Sequence, residues 1–143
     1  MGVWEVERER IAKLAIERAG DWLKGAESAY KDGRWNDVVY CSQMCVEQSV
    51  KAVLLLFKID YPKEHDVSGI FMETVERLDV PSWFRKEARN IARKLSELSN
   101  LRGLAGYGFE KGVGRDFFKD YAPEALESAR KIHDLCKKLL GSR

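Results

Sequence analysis

From Trp35 to Phe57 the chain is apolar on almost every side of a helix, and that stretch dictates what the rest must do. Val38, Cys41, Cys45, Gln48 or Ser49, Ala52 and Leu56 recur at spacings of three and four, the period of one helix face. Val39, Val46, Val50, Val53, Leu54 and Phe57 widen this stripe until little polar surface remains. A helix of that kind is stable only when other helices surround it. Its longest unbroken apolar run, Val53 to Phe57, ends at Lys58 and falls far short of the ~20 residues that cross a bilayer. The segment is therefore expected in the middle of a water-borne bundle.

The neighbours fit that role. Over Val3 to Lys31, Trp4, Ile11, Ala15, Trp22, Ala26 and Ala29 share a stripe, with Leu14 and Leu23 beside it. Glu5, Glu7, Arg8, Glu9, Arg10 and Lys13 load the opposite side, and Asp32-Gly33 ends the helix with a left-handed glycine. Asn36 or Asp37 is the expected cap of the second helix. Ile59 to Val67 reads as a loop closed off by Pro62. A short helix follows from Ser68 to Leu78, carrying Ile70, Phe71, Val75 and Leu78, and Pro81 breaks it. Ser82 then caps a fourth helix to Leu101, whose stripe is Phe84, Ala88, Ile91, Leu95 and Leu98. From Arg102 to Ala122 no good period is found, and five of the eleven glycines fall there, at 103, 106, 108, 112 and 114. An irregular segment of that length inside a domain is expected to be functional or mobile. Pro123 opens a last helix with Leu126, Ala129, Ile132 or His133, Cys136 and Leu140 inside, ended by Gly141. No run alternates as a strand does. The expected fold is all-α: one domain over 1–143, an up-and-down bundle of four main helices plus one short helix, with short links and antiparallel neighbours.

Composition removes several function classes. Hydrophobic residues at 45% and charged residues at 34% exclude both a disordered chain and a membrane protein. A net charge of +2 does not by itself demand a nucleic-acid partner. Three cysteines without a Cys-x-x-Cys spacing fit neither a disulfide framework nor a zinc ribbon, so they are read as reduced core residues with no metal and no cofactor. The opening MGVWEVERERIAK is charged and has no apolar run, which fits a cytoplasmic protein without a secretion signal. Three Asn and two Gln among abundant Lys, Arg and Glu give the balance of a heat-adapted (thermophile) protein.

A few residues break the pattern. Arg102 continues the 4-3-4-3 stripe of the fourth helix, placing a guanidinium where a core residue is expected. Two readings are open: a phosphate clamp, or a frayed last turn whose arginine swings to solvent. Tyr107, between Gly106 and Gly108, either lines a site or packs its ring on the bundle end. Glu47 and Lys51 stand four apart on the most apolar helix, as a local ion pair or as residues that orient something. His65, in Lys63-Glu64-His65-Asp66, is a capping or solvent-facing histidine, or an acid–base group. His133 reads as a satisfied core histidine. Arg85, Lys86, Arg89 and Arg93 make a basic strip with no aromatic residue interleaved, a nucleic-acid footprint or a solvated face.

In order, these features resemble the HEPN domain family of archaea and bacteria. Lys31-Asp32-Gly33-Arg34-Trp35 closes an opening helix that carries Trp22, Ala26 and Ala29. Cys45-Val46-Glu47-Gln48-Ser49-Val50-Lys51-Ala52-Val53-Leu54 is similar to the family's A-x-E-x-x-x-K-A-x-L run. Pro62 through His65-Asp66-Val67 is similar to its P-x-x-H-D-L loop, and Arg102 to Gly108 to its R-x-x-A-D-Y-G variant. The resemblance implies an all-α bundle, commonly dimeric. It also implies one of two roles: a metal-independent RNase with an Arg-x(4–6)-His motif paired across the dimer, or a partner of a separate minimal nucleotidyltransferase, as toxin or nucleotide-binding accessory. In the RNase motif the His is acid or base at the ribose 2′-hydroxyl and the Arg holds phosphate. Here Tyr107, Gly108 and Phe109 stand where that His would fall, Leu98 stands one turn before Arg102, and Gly103 follows it. A tyrosine titrates near ~10, too high for an efficient base at neutral pH. The chain has no Gly-Ser followed by an Asp-x-Asp pair, so a nucleotidyltransferase would be another chain.

Three expectations follow. Arg102, Tyr107 and His65 are candidate ligand or phosphate contacts, supported by Glu47, Lys51, Gly103, Gly106 and Gly108. Arg102 and Tyr107 are expected to face one cleft, because the glycines permit a tight turn between them. The surplus apolar surface at Val39, Val46, Leu55, Trp83 and Phe84 predicts a symmetric homodimer that binds nucleotide or RNA, with no membrane contact.

Overall fold

Helices α1 (Val3–Lys31) and α2 (Trp35–Leu56) form a long antiparallel hairpin. The structure, a computed structural model, describes residues 3–142, with side chains from residue 6; Trp4 and Glu5 of the expected first helix faces lie outside the described side chains. After the hairpin come α3 (Ser68–Val75), the single turn α4 (Ser82–Arg85), α5 (Ala88–Tyr107), a 3-10 turn over Gly108–Lys111, and α6 (Ala122–Gly141). No strand occurs among the described residues. The architecture is the expected all-α bundle. No helix among the described residues is long and apolar enough to cross a membrane.

The apolar helix takes the central place. α2 packs on α1, α6 and α5, while α3 packs on α5. Its hairpin with α1 is lined by small side chains seven residues apart. Ala12, Ala19 and Ala26 of α1 and Val38, Cys45 and Ala52 of α2 are all fully buried, as are Ser42 and Ser49. A seven-residue repeat keeps two helices in contact through a left-handed crossing, and small residues let their axes approach. The glycine that ends α1 has the left-handed conformation its position requires, with Gly33 at φ 70°. α2 begins without a side-chain cap; Asp37 instead accepts a hydrogen bond from Arg34 Nη1 at 2.6 Å.

Several boundaries differ from expectation, among them the end of α3 at Val75 and not Leu78. The fourth helix bends at Lys86–Glu87, separating α4 from α5, with Phe84 edge-on to Phe71 at 6.2 Å in the core. More consequentially, α5 runs on through Gly103 and Gly106 to Tyr107, so Arg102 lies inside a helix and not at its end. Each interior glycine costs about 1 kcal/mol relative to alanine. Packing of Leu101, Leu104 and Ala105 on the core outweighs that cost. Gly103 is not in the left-handed region, and a Cβ there would meet nothing within 4 Å. Gly103→Ala should therefore stabilise the fold by about 0.5–1 kcal/mol, read as a rise in the urea midpoint at unchanged slope.

Most of the apolar surface expected to pair two protomers is buried within one. Val39, Val46 and Phe84 are fully buried, and Leu55 and Trp83 pack against the same core. Among the described residues the large apolar side chains that remain exposed are Val6, Leu14, Tyr30, Tyr107, Phe109 and Phe117. The last three run from the final residue of α5 into the segment before α6, which buried Phe118 anchors.

One polar network joins α5 to α6. Tyr121 donates from its hydroxyl to Glu97 at 2.7 Å, and Lys94 Nζ lies 3.1 Å from both Glu97 and Glu124. The Tyr121 hydroxyl, then Lys94, hold the Glu97 carboxyl below its ordinary range. A lowered carboxyl favours the folded state above the unfolded-chain value, and that contribution is lost as pH falls through the folded value. The stability gap between wild type and Tyr121→Phe should thus be present at neutral pH and shrink in acid, below the ordinary carboxylate range of about 4.3. Denaturant midpoints of both proteins across that range measure it.

Candidate functional site

Glu47 organises the polar residues of the bundle. It sits on the central helix, 5% exposed, and its carboxylate meets three groups. Gln43 donates from Nε2 to Oε1 at 2.8 Å, and Lys51 Nζ lies 2.9 Å from Oε2. The third is His65, whose Nδ1 lies 2.9 Å from Oε1. Spacing explains the first two, since residues four apart on a helix are neighbours. The His65 contact comes from the loop after α2, which folds back over the helix. Lys51 also stands over the Tyr61 ring of that loop at 5.3 Å. Ser99 of α5 donates to the His65 carbonyl at 3.4 Å and so ties the loop to a second helix.

A carboxylate only accepts hydrogen bonds, so Nδ1 of His65 carries the proton. In the neutral ring Nε2 is then a free acceptor on a side chain that is half exposed. The arrangement is a carboxylate–imidazole dyad in which the buried Glu47 sets tautomer and orientation.

Arg102 stands one turn beyond Ser99 on α5 and leans inward as its stripe position requires. Its Nη2 donates to the Tyr40 hydroxyl at 2.8 Å, and its guanidinium carbon lies 4.9 Å from the centre of the Tyr40 ring. Gly106 makes room for that ring, since a Cβ there would stand 3.3 Å from Cε2 of Tyr40. Nε of Arg102 is buried without a partner. Among the described residues no carboxylate lies within salt-bridge reach of Arg102. Arg102 is thus a half-buried guanidinium with one buried N–H unmet and no described carboxylate beside it.

Tyr107 is elsewhere. It is 61% exposed and its ring lies 6.5 Å from that of Phe109. It borders an open groove with Asn100, Gly103, Leu104, Gly108, Glu110 and Lys111. Five helical residues turn about 140°, so an α5 that continues through Gly103 and Gly106 sends Arg102 and Tyr107 to different sides. The expected shared cleft is therefore corrected. Gly108 serves the following turn, where an added Cβ would meet Val113 Cβ at 3.0 Å.

Glu47, Lys51 and His65 thus come together, Arg102 lies along the same α2–α5 seam, and Tyr107 does not join them. Sequence reasoning missed Tyr40, Gln43, Tyr61 and Ser99. Tyr40, Gln43, Glu47 and Lys51 do follow one another at helical spacing, and that spacing was the available signal.

The other singled-out residues have local partners. His133 Nε2 meets the Ile16 carbonyl at 3.2 Å beside Gly20. Arg85 donates to the carbonyls of Val75 and Leu78 and so closes the end of α3, which takes it out of the basic strip. Burial pushes the Cys45 thiol up to about 12 and raises the Cys136 thiol as well. Among the described residues no three His, Cys, Asp or Glu side chains group as a metal site would.

Comparison with known proteins agrees with this architecture. A Methanocaldococcus jannaschii protein named "Putative toxin MJ1304" is 31% identical over 140 residues, covering 94% of this chain and 91% of the relative. No solved structure gives a significant match. The HEPN domain family matches residues 12–139, from the first buried turn of α1 to the last of α6. On that match the chain belongs to the HEPN domain family.

Proposed function

We propose that this chain is the nucleotide- or nucleic-acid-binding member of a toxin–antitoxin pair, a homodimer that works with a separate minimal nucleotidyltransferase and does not itself cleave. The observation that carries the binding role is Arg102, inward-leaning, unpaired by any described carboxylate and with a buried Nε–H left open. The toxin setting is supported by the name of the M. jannaschii relative. Tyr107, Phe109 and Phe117 are the exposed apolar surface from which a second copy or a partner chain would be bound. The test is RNA binding beside RNA cleavage, in chelator, for wild type and Arg102→Ala. Binding that weakens with the substitution, without cleavage by either protein, is expected. Binding unchanged by it would remove Arg102 from the site.

A second reading, a divergent metal-independent HEPN ribonuclease, is favoured by one observation. Glu47 holds His65 with Nε2 outward, and Ser99 ties that loop to α5 one turn from Arg102. A histidine so oriented is the acid–base group that Tyr107 is not. Chelator-resistant cleavage by wild type that is lost in both His65→Ala and Arg102→Ala would make the chain an enzyme.

A further inference from the structure

The last turn of α5 is held from outside the helix. Gly103 and Gly106 stand inside it, both exposed, and each weakens a helix interior relative to alanine. The turn has no stop of its own. Gly108 follows at φ −60° and ψ −22°, not in the left-handed conformation that closes a helix, and the chain passes straight into the 3-10 turn. The left-handed glycine comes only at Gly112, with φ 77°. No basic residue stands in the last turn of α5 to meet its free carbonyls.

Tertiary contacts supply what the local sequence lacks. Leu101, Leu104 and Ala105 pack on the core, and the Tyr40 ring lies against Gly106. The Tyr40 hydroxyl also accepts from Nη2 of Arg102 at 2.8 Å. Of the three glycines from 103 to 108, two have a steric reason in this conformation. A Cβ at Gly106 would stand 3.3 Å from the Tyr40 ring, and one at Gly108 would stand 3.0 Å from Val113. Gly103 has no such reason: its φ is not positive, and a Cβ there would meet nothing within 4 Å. In the helix seen here Gly103 only weakens, so its consequence lies in a second conformation.

We infer that the turn Gly103–Tyr107 is a gate, exchanging between this helix and an uncoiled form in which α5 ends near Leu101 and Arg102 leaves Tyr40. Arg102 immediately precedes the turn. Closed, the Tyr40 ring fixes the plane of its guanidinium and Nε is a buried atom; open, the guanidinium is loose and wet. Tyr107 ends the turn and exposed Phe109 lies two residues on, so opening moves both rings in the same step. The gate is thus a regulation of the Arg102 site, and in that respect it rests on the binding role proposed for Arg102. By linkage, an occupant that prefers the closed form at either end of the turn holds the other end in place.

Hydrogen exchange followed by NMR on the full chain tests the gate. The amides of Leu104 to Tyr107, whose acceptors lie four residues back, should exchange at least about tenfold faster than those of Ala92 to Leu98 in the same helix. Arg102 Nε–H, buried when the gate is closed, should exchange through the same opening. Gly103→Ala should therefore slow the four amides and the Arg102 Nε–H by one common factor of about five, the effect of one interior glycine on a helix. Gly69→Ala in α3, where a Cβ also meets nothing within 4 Å, should leave both unchanged. Tyr40→Leu should speed both. A uridylate hexamer at ten times its dissociation constant should slow both about tenfold in wild type. Amides at 104–107 as slow as those of the helix middle would overturn the gate. An Nε–H that does not follow the amides in Gly103→Ala would reduce the turn to a fraying end and overturn it as well. Hexamer binding that leaves this exchange unchanged, or speeds it, would overturn the regulation. No hexamer binding would overturn the binding role of Arg102 alone, the opening being decided by exchange in the free protein.

Discussion

Glu47→Ala should lower the free energy of unfolding by about 3–5 kcal/mol, the range for stripping one partner from a buried ion pair. The cost arises from what the substitution strands. Lys51 keeps an ammonium with a side chain only 17% exposed and loses its carboxylate. Gln43 is fully buried, its Nε2 loses its acceptor, and its Oε1 already has no partner. His65 loses its hold on α2, which frees the loop from one of its ties. A control separates stranded charge from lost packing. Glu47→Leu with Lys51→Met removes both charges at similar volume and should cost less than Glu47→Ala alone. Urea unfolding of the three proteins reads the difference. A Glu47→Ala midpoint equal to wild type would mean that this carboxylate is not the buried acceptor described.

Arg102→Ala should weaken nucleotide or RNA binding by about 1–3 kcal/mol, the range for hydrogen bonds to a charged group, with a much smaller effect on stability. That is roughly 5- to 150-fold in affinity. The folded state loses one bond to the Tyr40 hydroxyl and the guanidinium over its ring, on a side chain that is only half buried. Arg102→Lys should rescue little, because an ammonium supplies a point charge but neither the fork nor the Nε–H. Isothermal titration with the same ligand on all three proteins decides it. Full rescue by lysine would reduce the role of Arg102 to charge alone. Tyr107→Phe should leave this binding unchanged, since Tyr107 stands on another side of α5.

Most of the fold was readable because its helices keep their period. The near-uniform apolarity of α2 located the centre of the bundle, and Gly33 and Pro123 marked boundaries by conformations that few other residues adopt. The end of α5 was misread because glycine density outweighed a stripe that in fact continues from Leu98 through Leu101 to Ala105. What holds that last turn is tertiary: the core accepts Leu104, and the Tyr40 ring lies against Gly106. Local propensity contains no trace of either. The same limit divided the site. Glu47 and Lys51 are adjacent by helical arithmetic, so their pairing was legible. That His65 completes the set depends on the path of a loop, and that Arg102 meets Tyr40 depends on which residues of two antiparallel helices end up opposite each other. The error over Tyr107 came directly from the error over α5, because a helix that runs on from Leu101 to Tyr107 rotates its last residues out of the expected cleft.

The small-residue seam between α1 and α2 bears on how this protein can move. Buried Ala12, Ala19 and Ala26 on α1, and a Gly25 whose added Cβ would stand 3.5 Å from Cys41 Sγ of α2, leave little room for one helix to rotate or slide past the other. With α6 packed on both, these three helices move as one body. α5 is held to that body chiefly through α2, and it carries α3 with it. The plane of least resistance therefore runs between α2 and α5, the plane that separates Tyr40 from Arg102 and His65 from Ser99. Any conformational change in this domain will be felt first as a change in the distance across those two pairs.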